Sequence, residues 1–147
     1  MKYTDKWWSY PAEAEDGKTI IVTGRDAIDH YKDNGKYIYR IDVKWKYNAL
    51  ENGMPEESDA KLMEEVTNAL LDAFKKDPIG VITGIYTGDG ERDWVIYTKN
   101  LKIFSIVFNK ALEELPTIPF VIEAEEDKDW EEYNHMRDET YIPESDD

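Results

Sequence analysis

The chain has 147 residues, no cysteine, 13% aromatic and 35% charged residues, and a formal net charge of −15. The missing thiols exclude disulfides, thiolate metal sites and a cysteine nucleophile, and the aromatic supply argues against a disordered chain. Phosphate backbones need compensating cations, so this acidity predicts no nucleic-acid partner.

The length predicts one domain over 1–147. It divides into an N-terminal aromatic segment (1–18), an α+β core (19–124) and an acidic C-terminal segment (125–147). From Glu123 to Asp147 there are 12 acidic and 2 basic residues, so most of the charge sits at that end. The opening "MKYTDKWWSYPAE" has no apolar signal core, and no run approaches the roughly 20 apolar residues of a membrane helix. A cytoplasmic protein without a membrane partner is the expectation.

Taken in chain order, the polar opening carries an aromatic cluster at Trp7, Trp8 and Tyr10. "KTIIVTGR" follows and reads as a strand around Ile20, Ile21 and Val22. "AIDHYKDNGK" carries turn chemistry at Asn34-Gly35. In "KYIYRIDVKWKY", Tyr37, Tyr39, Ile41, Val43, Trp45 and Tyr47 alternate with Lys36, Ile38, Arg40, Asp42, Lys44 and Lys46. Period-2 spacing predicts a strand with an apolar face and a half-wet basic face. After a loop, Leu62, Met63, Val66, Ala69, Leu70, Ala73 and Phe74 form one helical stripe, predicting a helix from Glu57 to Lys76. Ser58 is the expected cap, and Asp77-Pro78 the stop.

"IGVITGIYTGDGERDWVIYTK" predicts a hairpin: Ile79–Tyr86, a turn at Thr87–Gly90, then Arg92–Thr98. Asn100 is placed to cap a second helix from Leu101 to about Leu115, and "FVIEA" is the last strand. From Lys36 the order is strand, helix, strand, strand, helix, strand. The predicted fold class is therefore α+β, a ferredoxin-like antiparallel sheet with two helices on one face. "TIIVTGR" adds an extra N-terminal strand, and an acidic C-terminal segment closes the chain.

Few residues carry a chemical signature. Gly88-x-Gly90 lies between strands, not before a helix, so it predicts a turn and not a phosphate loop. Arg92, one of four arginines, suits a carboxylate or phosphate, but equally a pairing with Glu91 or Asp93. His30 and His135 lack partners at metal or catalytic spacing. The acidic clusters lack the spacing of a calcium loop. No catalytic residue, metal or cofactor is predicted. The basic strand face (Lys36, Arg40, Lys44, Lys46) and the acidic end from Glu123 are expected to meet.

Three pieces recur as a pattern: "DKWWSY", "VITGIYTGDGERDWVIY" and "EDKDWEEYNHMRDETYIP". In this order they resemble the bacterial family called "domain of unknown function 695" over nearly the whole chain. The hairpin elements fall on Gly84, Gly90, Arg92 and Tyr97, with a slightly different glycine spacing. The terminal ones fall on Asp127, Trp130 and Tyr133, with Pro143 farther on. The resemblance implies a ferredoxin-like fold and no agreed activity. Related-looking domains sit beside the "regulator of ribonuclease activity B" group, which works by binding an enzyme.

The resulting expectation is a binding or regulatory module without catalysis, acting on an unknown protein partner. Its candidate binding residues are Arg92, Trp94, Tyr97, Trp130 and Tyr133, because Arg and aromatic residues are the usual interface anchors. The alternative is an enzyme using carboxylates and Tyr in a cleft near Arg92. Trp-x-x-Tyr at each end (Trp7 with Tyr10, Trp130 with Tyr133) predicts two short turns sealing sheet edges.

Overall fold

The computed structural model describes residues 6–142. Asp5, Pro143 and the terminal "ESDD" lie outside the described residues. The elements are β1 Lys6–Glu13, β2 Thr19–Asp26, α1 Asp29–Asp33, β3 Tyr39–Lys46, α2 Glu57–Lys76, β4 Gly80–Gly88, β5 Glu91–Thr98, α3 Leu101–Ala111, β6 Val121–Glu126 and α4 Glu131–Thr140. This is an α+β molecule with one antiparallel sheet in the order β1-β2-β4-β5-β3-β6.

Local signals explain most of the elements. Helix α2 spans the predicted residues and buries Met63, Val66, Leu70 and Phe74. Its N-cap is Glu56 without a side-chain hydrogen bond, so Ser58 lies inside the first turn and does not cap it. Asn100 does cap α3: its side chain accepts from the Ile103 N–H at 2.9 Å. The β4–β5 turn comes down to Asp89 and Gly90, both at positive φ (51° and 81°), as a two-residue hairpin loop requires. Where a turn was expected at Asn34-Gly35, the chain forms the short helix α1 with Asn34 as its C-cap and Gly35 at φ 74°. Glycine is favoured just past a helix end for that reason.

Two cores lie on opposite faces of the sheet. On one, α2 and α3 cover Ile41, Val43, Trp45, Ile82, Ile85, Trp94 and Ile96. On the other, α4 brings Tyr133 and Met136 onto Val22, Val81, Val95 and Tyr97, joined by Trp8, Tyr37 and Trp130. The second face, expected to be basic and half wet, is covered in part by the C-terminal helix. Tyr37 belongs to this second core. Its alternation with Tyr39 breaks because β3 begins only at Tyr39.

The two aromatic ends meet, though not as paired turns. "KWWSY" is strand β1, and its consecutive tryptophans point to opposite faces. Trp7 lies under the Arg25 guanidinium, whereas Trp8 is buried and donates its indole N–H to Thr140 Oγ1 at 2.9 Å. The Trp8 ring lies across β2 at Gly24, where any Cβ would come within 2.0 Å of it. Trp130 is the left-handed N-cap of α4 (φ 55°) and is 1% exposed. Its indole donates to the Tyr37 carbonyl at 2.8 Å and stacks on Tyr97, with ring centroids 4.5 Å apart.

Trp130→Ala should therefore cost about 3–5 kcal/mol, measured by denaturant unfolding. Replacing the partly exposed Tyr10 on β1 should stay within about 0.5 kcal/mol.

Candidate functional site

Of the residues that carry the sequence pattern, Gly84, Tyr97, Asp127, Trp130 and Tyr133 converge on one junction, whereas Gly90 and Arg92 lie apart from it. Asp127, just past β6, does three things at once. Its Oδ1 accepts from the Glu131 N–H at 2.9 Å and its Oδ2 from the Glu132 N–H at 3.2 Å, capping α4. The same Oδ2 accepts the Tyr97 hydroxyl at 2.7 Å. A carboxylate at a helix N-terminus also complements the helix dipole. Trp130 and Tyr133 then sit three apart on the first turn of α4, and the Tyr133 hydroxyl donates to the Arg25 carbonyl at 2.7 Å. Gly84 leaves room for α4: a Cβ there would stand 3.1 Å from Met136 Cε.

The predicted binding residues are placed as follows. Trp94, Tyr97, Trp130 and Tyr133 are all 2% exposed or less. Trp94 belongs to the α2/α3 core and the other three to the α4 core, so they form no shared surface. Arg92 is on the α2/α3 side. Its Nε donates to Thr87 Oγ1 at 2.9 Å, and its guanidinium lies 5.4 Å from the Trp94 ring centroid. Burial lowers its pKa to about 10, against a smaller upward pull from Tyr47. Neither Glu91 nor Asp93 holds it; Asp93, one residue on, projects to the other face.

On that other face lies a polar cluster that the sequence did not single out. It draws Arg40, Asp42 and Lys44 from β3, Asp93 from β5, Tyr86 from β4 and Glu132 from α4. The register sets Lys44 opposite Asp93 and Tyr86 opposite Asp93. Tyr86 donates to Glu132 Oε1 at 2.5 Å. Arg40 pairs with Asp42 (3.2 Å) and with Glu125, and Lys44 pairs with Glu123 (3.5 Å). The expected meeting of the basic strand face with the acidic end thus occurs at Arg40 and Lys44, through β6 lying beside β3. Lys36 and Lys46 remain exposed.

Burial dominates the electrostatics here. It raises the Asp93 carboxyl to about 8, with the Asp42 charge and an Asp42 hydrogen bond adding to the effect and Lys44 opposing it. Burial likewise raises Glu132, against the lowering effects of the Tyr86 hydroxyl and Arg40. For Arg40, burial works against the charge, but Asp42 and Glu125 outweigh it and raise its pKa. Asp42 Oδ1, Asp93 Oδ1 and Glu132 Oε2 are buried without a hydrogen bond. Such a cluster can hold and share protons. Its opening to solvent is a notch of about 80 Å³ lined by Arg40, Asp42, Glu123, Ala124 and Glu125. Among the described residues, no three His, Cys, Asp or Glu side chains are placed to hold a metal ion, and no helix is long and apolar enough to cross a membrane.

A family model described as "Family of unknown function (DUF695)" matches residues 5–136. The chain belongs to that family. The match runs from the start of "DKWWSY" through Met136, so it takes in both the β4–β5 hairpin and the Asp127–Tyr133 cap of α4. No curated protein and no solved structure matches the chain.

The cluster could have been sought from Arg40, Asp42 and Lys44, three charged residues on alternate positions of one strand. Asp93, Tyr86 and Glu132 carry no such signal, because only the sheet register and the α4 contact bring them near.

Asp93 provides the pH test. Its folded pKa, about 8, is raised above the ordinary aspartate value. The folded state therefore holds the proton more tightly, and this group's contribution to stability is largest below about pH 4. It falls as pH rises and levels off above about 8. Asp93→Asn mimics the protonated form. The variant should gain on the wild type between those pH values, at up to about 1 kcal/mol per pH unit. Thermal melts of both proteins across that range measure it; a constant offset would show that Asp93 ionises freely in the fold.

Proposed function

We propose that this protein is a binding or regulatory module that works on a protein partner without catalysing a reaction. One observation carries the reading. Among the described residues, five of the nine exposed large apolar side chains lie on two consecutive elements: Leu101, Ile103 and Ile106 on α3, and Val121 and Ile122 on β6. Ile103 and Ile106 sit one turn apart and so form an uncovered apolar strip of α3, and an uncovered apolar strip marks an interaction site. The polar cluster favours the same reading by its size. Its notch of about 80 Å³ is far below the ~300–1,000 Å³ of a metabolite pocket, and Tyr86, Tyr97 and Asp127 are engaged in internal hydrogen bonds.

The order β4-β5-β3-β6, with α2 and α3 on one face, supports a ferredoxin-like reading of the core. A cytoplasmic location fits a cysteine-free chain that needs no oxidising compartment to fold.

A second reading, an enzyme using carboxylates and Tyr, draws on the raised pKa values of Asp93 and Glu132, since perturbed carboxylates gather at active sites. Such chemistry would lie under β6 and α4 on the face opposite Arg92, so a cleft near Arg92 is not its location.

Affinity capture with the folded chain, followed by identification and direct titration of the captured protein, tests the proposal. Ile103→Asp with Ile106→Asp should weaken that binding about tenfold or more while moving stability by no more than about 0.5 kcal/mol for each exposed site. If no partner titrates, and the protein instead turns over a substrate with a rate that Asp93→Asn and Glu132→Gln abolish, the enzyme reading replaces this one.

A further inference from the structure

We propose that the free edge of β6 receives an extended, basic segment of the partner protein as a seventh strand, with a Lys or Arg side chain of that segment seated in the acidic notch over β3 and β6. This names the partner's chemistry for the binding reading above and rests on it.

The backbone supplies the first argument. β6 is joined to β3 by six consecutive pairs, from Tyr39↔Glu126 to Lys44↔Val121, without a bulge. The Asp127 N–H donates to the Ile38 carbonyl at 2.7 Å and so points toward β3. Alternation along an antiparallel strand turns the N–H and C=O groups of Glu125, Glu123 and Val121 the same way, and those of Ile122, Ala124 and Glu126 outward. Among the described residues β6 is the last strand on its side of the sheet, and all six of its residues are exposed. An outer strand with free N–H and C=O groups is a template for another strand. β1, the opposite edge, carries Pro11 and Lys6, two residues that discourage strand addition; "VIEAEE" has neither.

Charge supplies the second argument. Glu123, Glu125 and Glu126 lie on the outer strand, and the side chains of Glu123 and Glu125 are 64% and 60% exposed. The notch between them and β3 also holds Asp42, whose buried Oδ1 lies 3.2 Å from Arg40 Nε without making a hydrogen bond. Arg40 and Lys44 face Asp42, Glu123 and Glu125 there, three carboxylates against two cations. A cationic side chain arriving on the added strand would offset that surplus and supply donors to open acceptors. A volume of about 80 Å³ suits the tip of a side chain. A second copy fits poorly, because antiparallel β6–β6 pairing sets these glutamates against themselves, and like charges on facing strands repel. Strand addition with alternate side chains read by pockets is an established mode of peptide recognition.

A fluorescein-labelled peptide Lys-Val-Lys-Val-Lys-Val, titrated against the full chain by fluorescence anisotropy, tests this. It should bind, while Glu-Val-Glu-Val-Glu-Val should not. Glu123→Gln with Glu125→Gln should weaken binding about tenfold or more, with a reduced salt dependence. Ala124→Pro removes an outward N–H without touching the β3 ladder, as proline on an edge strand permits. It should abolish binding with the melting temperature kept. The basic peptide N-methylated at alternate amides should likewise fail to bind the unaltered protein, a result independent of the variant's folding. No binding by the folded wild type overturns the proposal, as does binding that survives both Ala124→Pro and N-methylation, which is charge adhesion only. So does a concentration-dependent dimer dissolved by Ala124→Pro, which makes the occupant a second copy. If the captured partner still binds the Ala124→Pro protein with full affinity, the binding reading stands and the edge proposal falls.

Discussion

Everything on the second face of the sheet depends on how α4 is anchored. α4 is a ten-residue, strongly polar helix, too short to persist in water alone. Asp127 supplies the missing order by capping its first N–H groups and binding Tyr97 of the sheet with the same carboxylate. Trp130 is driven into the left-handed region at φ 55°, a conformation that costs a bulky residue roughly 1–3 kcal/mol. Burial of the indole, its bond to Tyr37 and its stack on Tyr97 offset that cost. A helix held this way needs little intrinsic propensity.

This anchoring creates the electrostatic character of the face. Once α4 is down, Glu132 is carried onto Tyr86 and the carboxylates of β3 and β5 lose solvent. With water displaced, burial raises the Asp93 carboxyl to about 8, and the neighbouring Asp42 charge adds to the effect. The same strand that feeds α4, β6, lends Glu123 and Glu125 to Lys44 and Arg40 and leaves its own outer edge bare. The internal neutralisation and the exposed acidic edge are two sides of one strand.

The candidate binding residues show that residue type alone does not separate an interface from a core. Arg and aromatic residues anchor interfaces, but they also build cores. Trp94, Tyr97, Trp130 and Tyr133 are spent on packing, with their polar atoms bonded internally at Thr67, Asp127, Tyr37 and Arg25. Among the described residues the nine exposed large apolar side chains include Ile103, Ile106, Val121 and Ile122, which no motif pointed to. Helical spacing sets Phe104, Val107, Phe108 and Ala111 on one stripe of α3 and leaves Ile103 and Ile106 off it, whereas Val121 and Ile122 read only as part of the last strand.

Much of the fold was legible because its signals are local. α2 could be bounded from its stripe and the Asp77-Pro78 stop, the Asn100 cap from its side chain, and the β4–β5 hairpin from Asp-Gly between alternating strands. What tertiary structure alone decided was every choice that depends on a distant partner. It split Trp7 and Trp8 between two faces, moved Tyr37 to the α4 core, made Glu131–Thr140 a helix within the acidic C-terminal segment, and brought Asp42, Asp93 and Glu132 together from three elements. Local sequence sets backbone preference and period over a few residues. Which carboxylate loses its water, and which strand edge stays bare, depends on contacts between residues far apart in the chain.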